Sequence, residues 1–175
     1  MIALTFEAHS ATEDNEDEIA TGWNDVPLSA LGQVQAKELG KRYKDEDFDL
    51  IFCSDLQRSY ETAEIAFGNK YIVMKDARLR PCNYGDWNGD DIAEIAKYHL
   101  GRIEKPFPYG ESWQWAVKRV TDCLEEIKRD YDGQKILMIG HRATQYGIEK
   151  VINGKTVRES LLAGRPYKPG WKYEL

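Results

Sequence analysis

Apolar positions along this chain follow two rhythms. In the first, short runs are apolar almost without interruption: "IALTFEA" (2–8), "DLIFCS" (49–54), "KYIVMKD" (70–76) and "KILMIGH" (135–141). Such runs predict strands covered on both faces. In the second, apolar residues recur at helical spacing. "LSALGQVQAKELGKRYK" (28–44) predicts a helix capped by Ser29, with Ala30, Val34, Leu39 and Tyr43 on its buried face. "SDLQRSYETAEIAFG" (54–68) predicts one that starts at a capping serine and stops at Gly68, and "ESWQWAVKRVTDCLEEIKRDYDG" (111–133) a longer one stopped by glycine. "RATQYGIEKVING" (142–154) and "TVRESLLAG" (156–164) follow, and the segment from Tyr167 to Leu175 ends in "GWKYEL", an expected edge strand. Strands alternating with helices predict an α/β layer fold with a largely parallel sheet. Two polar, turn-rich stretches, 13–27 and 77–91, interrupt the alternation, and loops of that length in a compact domain are usually functional or disordered.

Composition narrows the setting. With 175 residues, 42% hydrophobic and 31% charged, the chain suits one globular domain spanning 1–175. The net charge is -6 with no basic block, which argues against a nucleic-acid partner and against a membrane surface. No apolar run nears the roughly 20 residues that span a bilayer, and the start of the chain lacks a basic leader. Cys53, Cys82 and Cys123 are odd in number and form no CxxC pair, so free thiols in a reducing cytoplasm are expected, with no zinc site.

Candidate chemistry gathers where strands end. Ligands of open α/β sheets bind beyond the carboxyl ends of the strands. His9 follows the first run, Ser54, Asp55 and Arg58 follow the second, and His141 with Arg142 follows "KILMIG". Two imidazoles, several guanidinium groups and helix N-termini at one sheet edge suit an anion. Phosphoryl chemistry fits: a neutral imidazole attacks phosphorus in line while cations hold the spread charge. Each residue also has a plainer reading. Either histidine fits a structural role, Arg58 alone fits a solvated helix, Thr12 and Asn15 fit an ordinary turn, and the acidic run 13–18 fits a solvated loop. Trp23, Trp87, Trp113 and Trp115 are expected to pack the core or the bases of loops.

Six motifs in order carry the reading further. "AHSATEDN", "TGWNDVPLSALGQVQAKELG", "CSDLQRSYETAEIA", "LRPCNYGDWNG", "PYGESWQWAVKRV" and "IGHRATQYG" span nearly the whole chain. Together they resemble the histidine phosphatase superfamily, the phosphoglycerate-mutase-like group. The resemblance implies a three-layer α/β/α sandwich. It implies that His9 is the nucleophile that becomes phosphohistidine, that Arg58 and His141 contact the phosphoryl oxygens, and that Thr12, Asn15 and the backbone at Gly22 help bind substrate. The implied reaction is hydrolysis of a small phosphomonoester with no metal and no cofactor. Mutase activity is the close variant, and a non-catalytic or weakly active phosphate-binding protein of the same fold is the alternative.

The chain departs from the family pattern at three positions: Ala8 stands for the first arginine, Ser10 for the next glycine and Pro81 for the glutamate that donates a proton in many members. Arg142, next to His141 at a helix start, is expected to supply part of the missing charge, with Arg80 a further candidate. Asp86, Glu111 or a carboxylate of the 13–18 loop are candidates for the acid. Phenolic and acyl phosphates would need no strong acid at all.

Overall fold

The computed structural model describes residues 1–164 and 168–175. The expected start of the terminal segment at Tyr167 lies outside the described residues. Five strands form one sheet: β1 (Ala3–Ala8), β2 (Leu50–Cys53), β3 (Ile72–Lys75), β4 (Lys135–Gly140) and β5 (Trp171–Glu174), in the order β3-β2-β4-β1-β5. The first four run parallel, and β5 pairs antiparallel with β1 at the edge.

Alternation along each central strand sends side chains to two covered faces. On one side Leu4, Phe6, Ile136 and Met138 pack with Val120, Leu124 and Ile127 of α5 (Trp113–Asp130) and Ile148 of α6 (Arg142–Asn153). On the other, Ile51, Leu137 and Ile139 meet Leu39 and Tyr43, at the end of α2 (Ala30–Arg42), and Ala63 of α3 (Gln57–Phe67). This is the expected three-layer α/β/α arrangement. The outer strand β3 departs from expectation. It lies at the edge, and Ile72 is 69% exposed.

The structure corrects several local expectations. Ser29 does cap α2, but the helix buries Gly32, Ala36 and Leu39, while Ala30 and Val34 face outward. The reason is a close backbone approach: a Cβ on Gly32 would lie 1.9 Å from the carbonyl oxygen of Ala11, so the small-residue face must turn inward. Ser54 is not the cap of α3, which begins after Leu56 with no side-chain cap. Trp113 is fully buried but Trp115 is 55% exposed, because residues two apart on a helix point to opposite sides.

The two long loops are partly ordered as helix. The first contains α1 (Glu13–Glu16), the second contains short 3-10 turns at Ala77–Leu79 and Gly85–Trp87, and α4 (Ile92–Ala96) follows it. They are laced together: Ala20 N–H donates to the Asp90 carbonyl at 2.8 Å, Gly89 N–H to Ala20 at 2.9 Å, and Ile92 N–H to Glu18 at 2.9 Å. Beneath them an aromatic cluster joins Tyr84, Trp87, Phe107, Trp113 and Tyr146. Beyond α6, α7 (Val157–Ala163) begins at a Thr156–Glu159 capping box. Among the described residues no helix is long and apolar enough to cross a membrane.

Candidate active site

Strand register brings the two histidines together. Ala8 pairs with Gly140 in the β1–β4 ladder, and His9 N–H extends it by donating to the Gly140 carbonyl at 3.1 Å. The next residue on each strand is a histidine. Their ring centroids lie 4.9 Å apart, about the spacing of adjacent strands. β4 lies between β1 and β2, so Ser54, just past β2, also reaches His141, with its Oγ 2.7 Å from Nε2. Ser54 was expected as a helix cap and serves instead to hold the second histidine.

Hydrogen bonding sets the chemistry of His9. Its Nδ1 lies 2.7 Å from the carbonyl oxygen of Ser10. A carbonyl only accepts, so in the neutral ring Nδ1 carries the proton and Nε2 carries the lone pair. Ser10 is itself anchored, since its N–H donates to Thr62 Oγ1 at 3.0 Å.

A cleft of about 120 Å³ opens over these groups, and His9, Asn15, Gly22, Arg58, Pro81, Tyr84, His141 and Arg142 are among its walls. Of the expected site residues, six share this cleft and Thr12 does not. Thr12 is fully buried, and it caps α1: its hydroxyl accepts from Asn15 N–H at 3.2 Å while Asn15 Oδ1 accepts from Thr12 N–H at 3.1 Å. It positions Asn15.

Arg58 is 2% exposed and held at both tips, with one guanidinium N–H donating to the Asn24 carbonyl at 2.9 Å and another to Gly22 at 2.7 Å. Burial lowers its pKa to about 10, so it keeps its charge at neutral pH. Gly22 has φ 52, and a Cβ there would lie 1.8 Å from Asn88 Oδ1, so this loop position needs glycine. Arg142 is the first residue of α6 and lines the cleft, with no hydrogen-bond or ion-pair partner among the described residues.

Of the other residues considered as substitutes, Arg80 and Glu111 are engaged elsewhere. Arg80 grips Asp55 with two bonds of 2.7 and 2.6 Å and lies over the Trp23 ring, which removes it as a second phosphate cation. Glu111 receives two bonds from Arg119, both 2.8 Å, and another from Asn83 N–H at 3.0 Å. Asp86 is exposed and outside the cleft. Helix N-termini supply less than expected, because Asp25 Oδ1 already accepts the Gln57 N–H of α3 at 2.7 Å.

Sequence reasoning missed Tyr84 in the cleft wall and His99 in the cluster behind it. His99 stacks on Tyr84 at 6.0 Å and meets the Trp113 ring at 5.0 Å. Its Nε2 is buried with no hydrogen-bond partner, and burial, aided by the charge of Arg142, lowers its pKa to about 4. Nothing short of the fold could reveal that environment, since it joins residues from four separate segments. The three cysteines are free and buried, and burial pushes the Cys53 and Cys123 thiols up to about 12. Among the described residues, no three His, Cys, Asp or Glu side chains gather as a metal site would require.

The sequence pattern of the histidine phosphatase superfamily (branch 1) matches residues 5–156. The chain is 31% identical over 159 residues to the uncharacterized phosphatase PhoE of Bacillus subtilis, covering 88% of this chain and 79% of that one. It is 31% identical over 150 residues to phosphoserine phosphatase 1 of Hydrogenobacter thermophilus, covering 81% and 71%. The solved structure of Bacillus stearothermophilus YhfR superimposes with a TM-score of 0.83 at 27% identity, covering 97% of this chain and 88% of that one.

Proposed function

Because the chain belongs to the histidine phosphatase superfamily, we propose that it hydrolyses a small phosphomonoester through a phosphohistidine at His9, without a metal. The observation that carries this reading is the bond from His9 Nδ1 to the Ser10 carbonyl at 2.7 Å, which leaves the Nε2 lone pair as nucleophile.

In the first step Nε2 attacks phosphorus, the N–P bond forms, and the P–O bond to the leaving group breaks with its electron pair. His141, held by Ser54, and the charges of Arg58 and Arg142 stabilise the equatorial oxygens. In the second step water attacks phosphorus, the P–N pair returns to Nε2, and inorganic phosphate leaves. Asn15 and the Gly22 backbone bound the substrate side of the cleft.

The test is acid-quench labelling in the presence of a chelator. A phosphomonoester should leave acid-labile phosphate on His9, and His9→Ala should lose both label and turnover. Undiminished turnover in His9→Ala would sink the mechanism. The departures at Ala8 and Pro81 favour a second reading, a phosphate-ligand sensor. Wild-type protein that binds phosphate or vanadate yet neither labels nor turns over would establish it.

A further inference from the structure

The cleft walls contain cations and imidazoles but, among the described residues, no aspartate or glutamate. We infer that the site acts on phosphoryl compounds whose leaving group departs without a proton, namely aryl or acyl phosphates, and discriminates against alkyl monoesters. This rests on the phosphatase reading above and names the substrate class for the same site.

Glu7, Glu111, Asp55 and Asp25 hold protein partners, and Asp14, beside Asn15 in the chain, acts on the buried Arg58 through its charge. Glu7 adjoins His9 in a neighbouring hollow, but its Oε1 accepts from Arg42 at 2.8 Å and from Tyr43 at 2.6 Å. Glu111 is gripped by Arg119, Asp55 by Arg80, and Asp25 by Gln57. From the second loop Pro81 lines the cleft, and its carbonyl accepts from Trp23 Nε1 at 2.8 Å and Arg119 at 2.6 Å.

The remaining protic groups are poor acids for this step. Burial raises the Tyr84 phenol well above its ordinary range. His141 serves the equatorial oxygens, with its Nε2 2.7 Å from Ser54 Oγ. An alkoxide resembles hydroxide and is a far stronger base than a phenolate or a carboxylate. A phenolate corresponds to a conjugate-acid pKa of about 10 and a carboxylate to one of about 4. When the P–O bond breaks, an aryl or acyl oxygen keeps the electron pair as a stable anion, and no proton is transferred. An alkyl oxygen leaving the same way gains no such stability, and a positioned general acid would have supplied about 10²–10⁴ in rate.

The experiment measures kcat/KM of the wild-type chain on substituted phenyl phosphates, acetyl phosphate, O-phosphoserine and glycerol 3-phosphate. Rates should fall steeply as the leaving group becomes more basic, with the alkyl esters at least about 10³-fold below phenyl phosphate. Phosphoenzyme formation should show no solvent deuterium isotope effect. The Pro81→Glu variant, compared with Pro81→Gln, should raise the alkyl-to-aryl ratio by about 10²–10⁴. Alkyl esters turned over within about tenfold of phenyl phosphate, by a His9-dependent route with a proton in flight, would overturn the inference and leave the phosphatase reading standing. Failure of every compound to label His9 would overturn both.

Discussion

Two arginines border one cleft, and their surroundings differ. Arg58 is buried, and its guanidinium is fixed by the carbonyls of Gly22 and Asn24. Arg142 starts a helix, faces the same space, and has no bonded partner among the described residues. A charge clamped by the chain contributes to holding the loop and presents a fixed potential to the ligand. A charge without protein partners has its hydrogen-bonding capacity available to the ligand. The contrast teaches that counting cations in a cleft says little until each one's hydrogen bonds are assigned.

The largest expected effect follows from removing the clamped charge. Arg58→Ala deletes two charge-assisted bonds, each worth about 1.5–3 kcal/mol, so unfolding stability should fall by roughly 3 kcal/mol or more together with anion affinity. Arg58→Lys should recover less than half, since an ammonium cannot reproduce the planar fork. Denaturant unfolding and phosphate calorimetry read both. Stability unchanged in Arg58→Ala would mean that the two carbonyls find other donors and that the clamp is not structural.

Next in size is a pH effect behind Arg142. His99 has a folded pKa of about 4 against an ordinary 6.5, so the unfolded state takes up its proton first as pH falls. Stability from this group is complete above about 6.5 and declines until about 4, below which both states are protonated; the loss is about 3 kcal/mol. His99→Phe should flatten that part of the stability curve. Arg142→Ala should raise the His99 pKa, visible by NMR titration, if the Arg142 charge is indeed uncompensated. An unmoved titration would show that burial alone sets it.

The finest test separates the two arginines by function. Arg142→Ala should leave stability nearly unchanged and weaken phosphate or vanadate binding by about 1.5–3 kcal/mol. Ala8 borders a hollow of about 190 Å³ beside His9, which gives an arginine side chain room. Ala8→Arg should therefore restore about 1 kcal/mol of affinity in the Arg142→Ala background and add little in the wild type. Additive effects would mean the two positions serve different parts of the ligand.

The strand ends were readable from the chain because continuous apolar runs mark buried strands, and polar residues directly after them must meet at one edge. His9, Arg58, His141 and Arg142 emerged that way. The strand order was not readable, and that order places β4 between β1 and β2 and so joins Ser54 to His141. The fate of Arg80 and Glu111 was hidden for a similar reason: their partners Asp55 and Arg119 become neighbours only through folding. The buried face of α2 was read correctly at Leu39 and Tyr43 and misread at Ala30 and Val34, where hydrophobicity outweighed smallness in the pattern. The helix instead presents Gly32 and Ala36 to a nearby backbone.

The lacing between Glu18–Ala20 and Gly89–Ile92 has a consequence for motion. Three backbone bonds cross between the loops, so neither can swing out while the other stays. Amide hydrogens at Ala20, Gly89 and Ile92 should therefore exchange with solvent through one shared opening event and display a common protection factor. A phosphorylated molecule gripped at Asn15 would slow exchange at Gly89 and Ile92 as well, carrying its presence to a segment far along the chain.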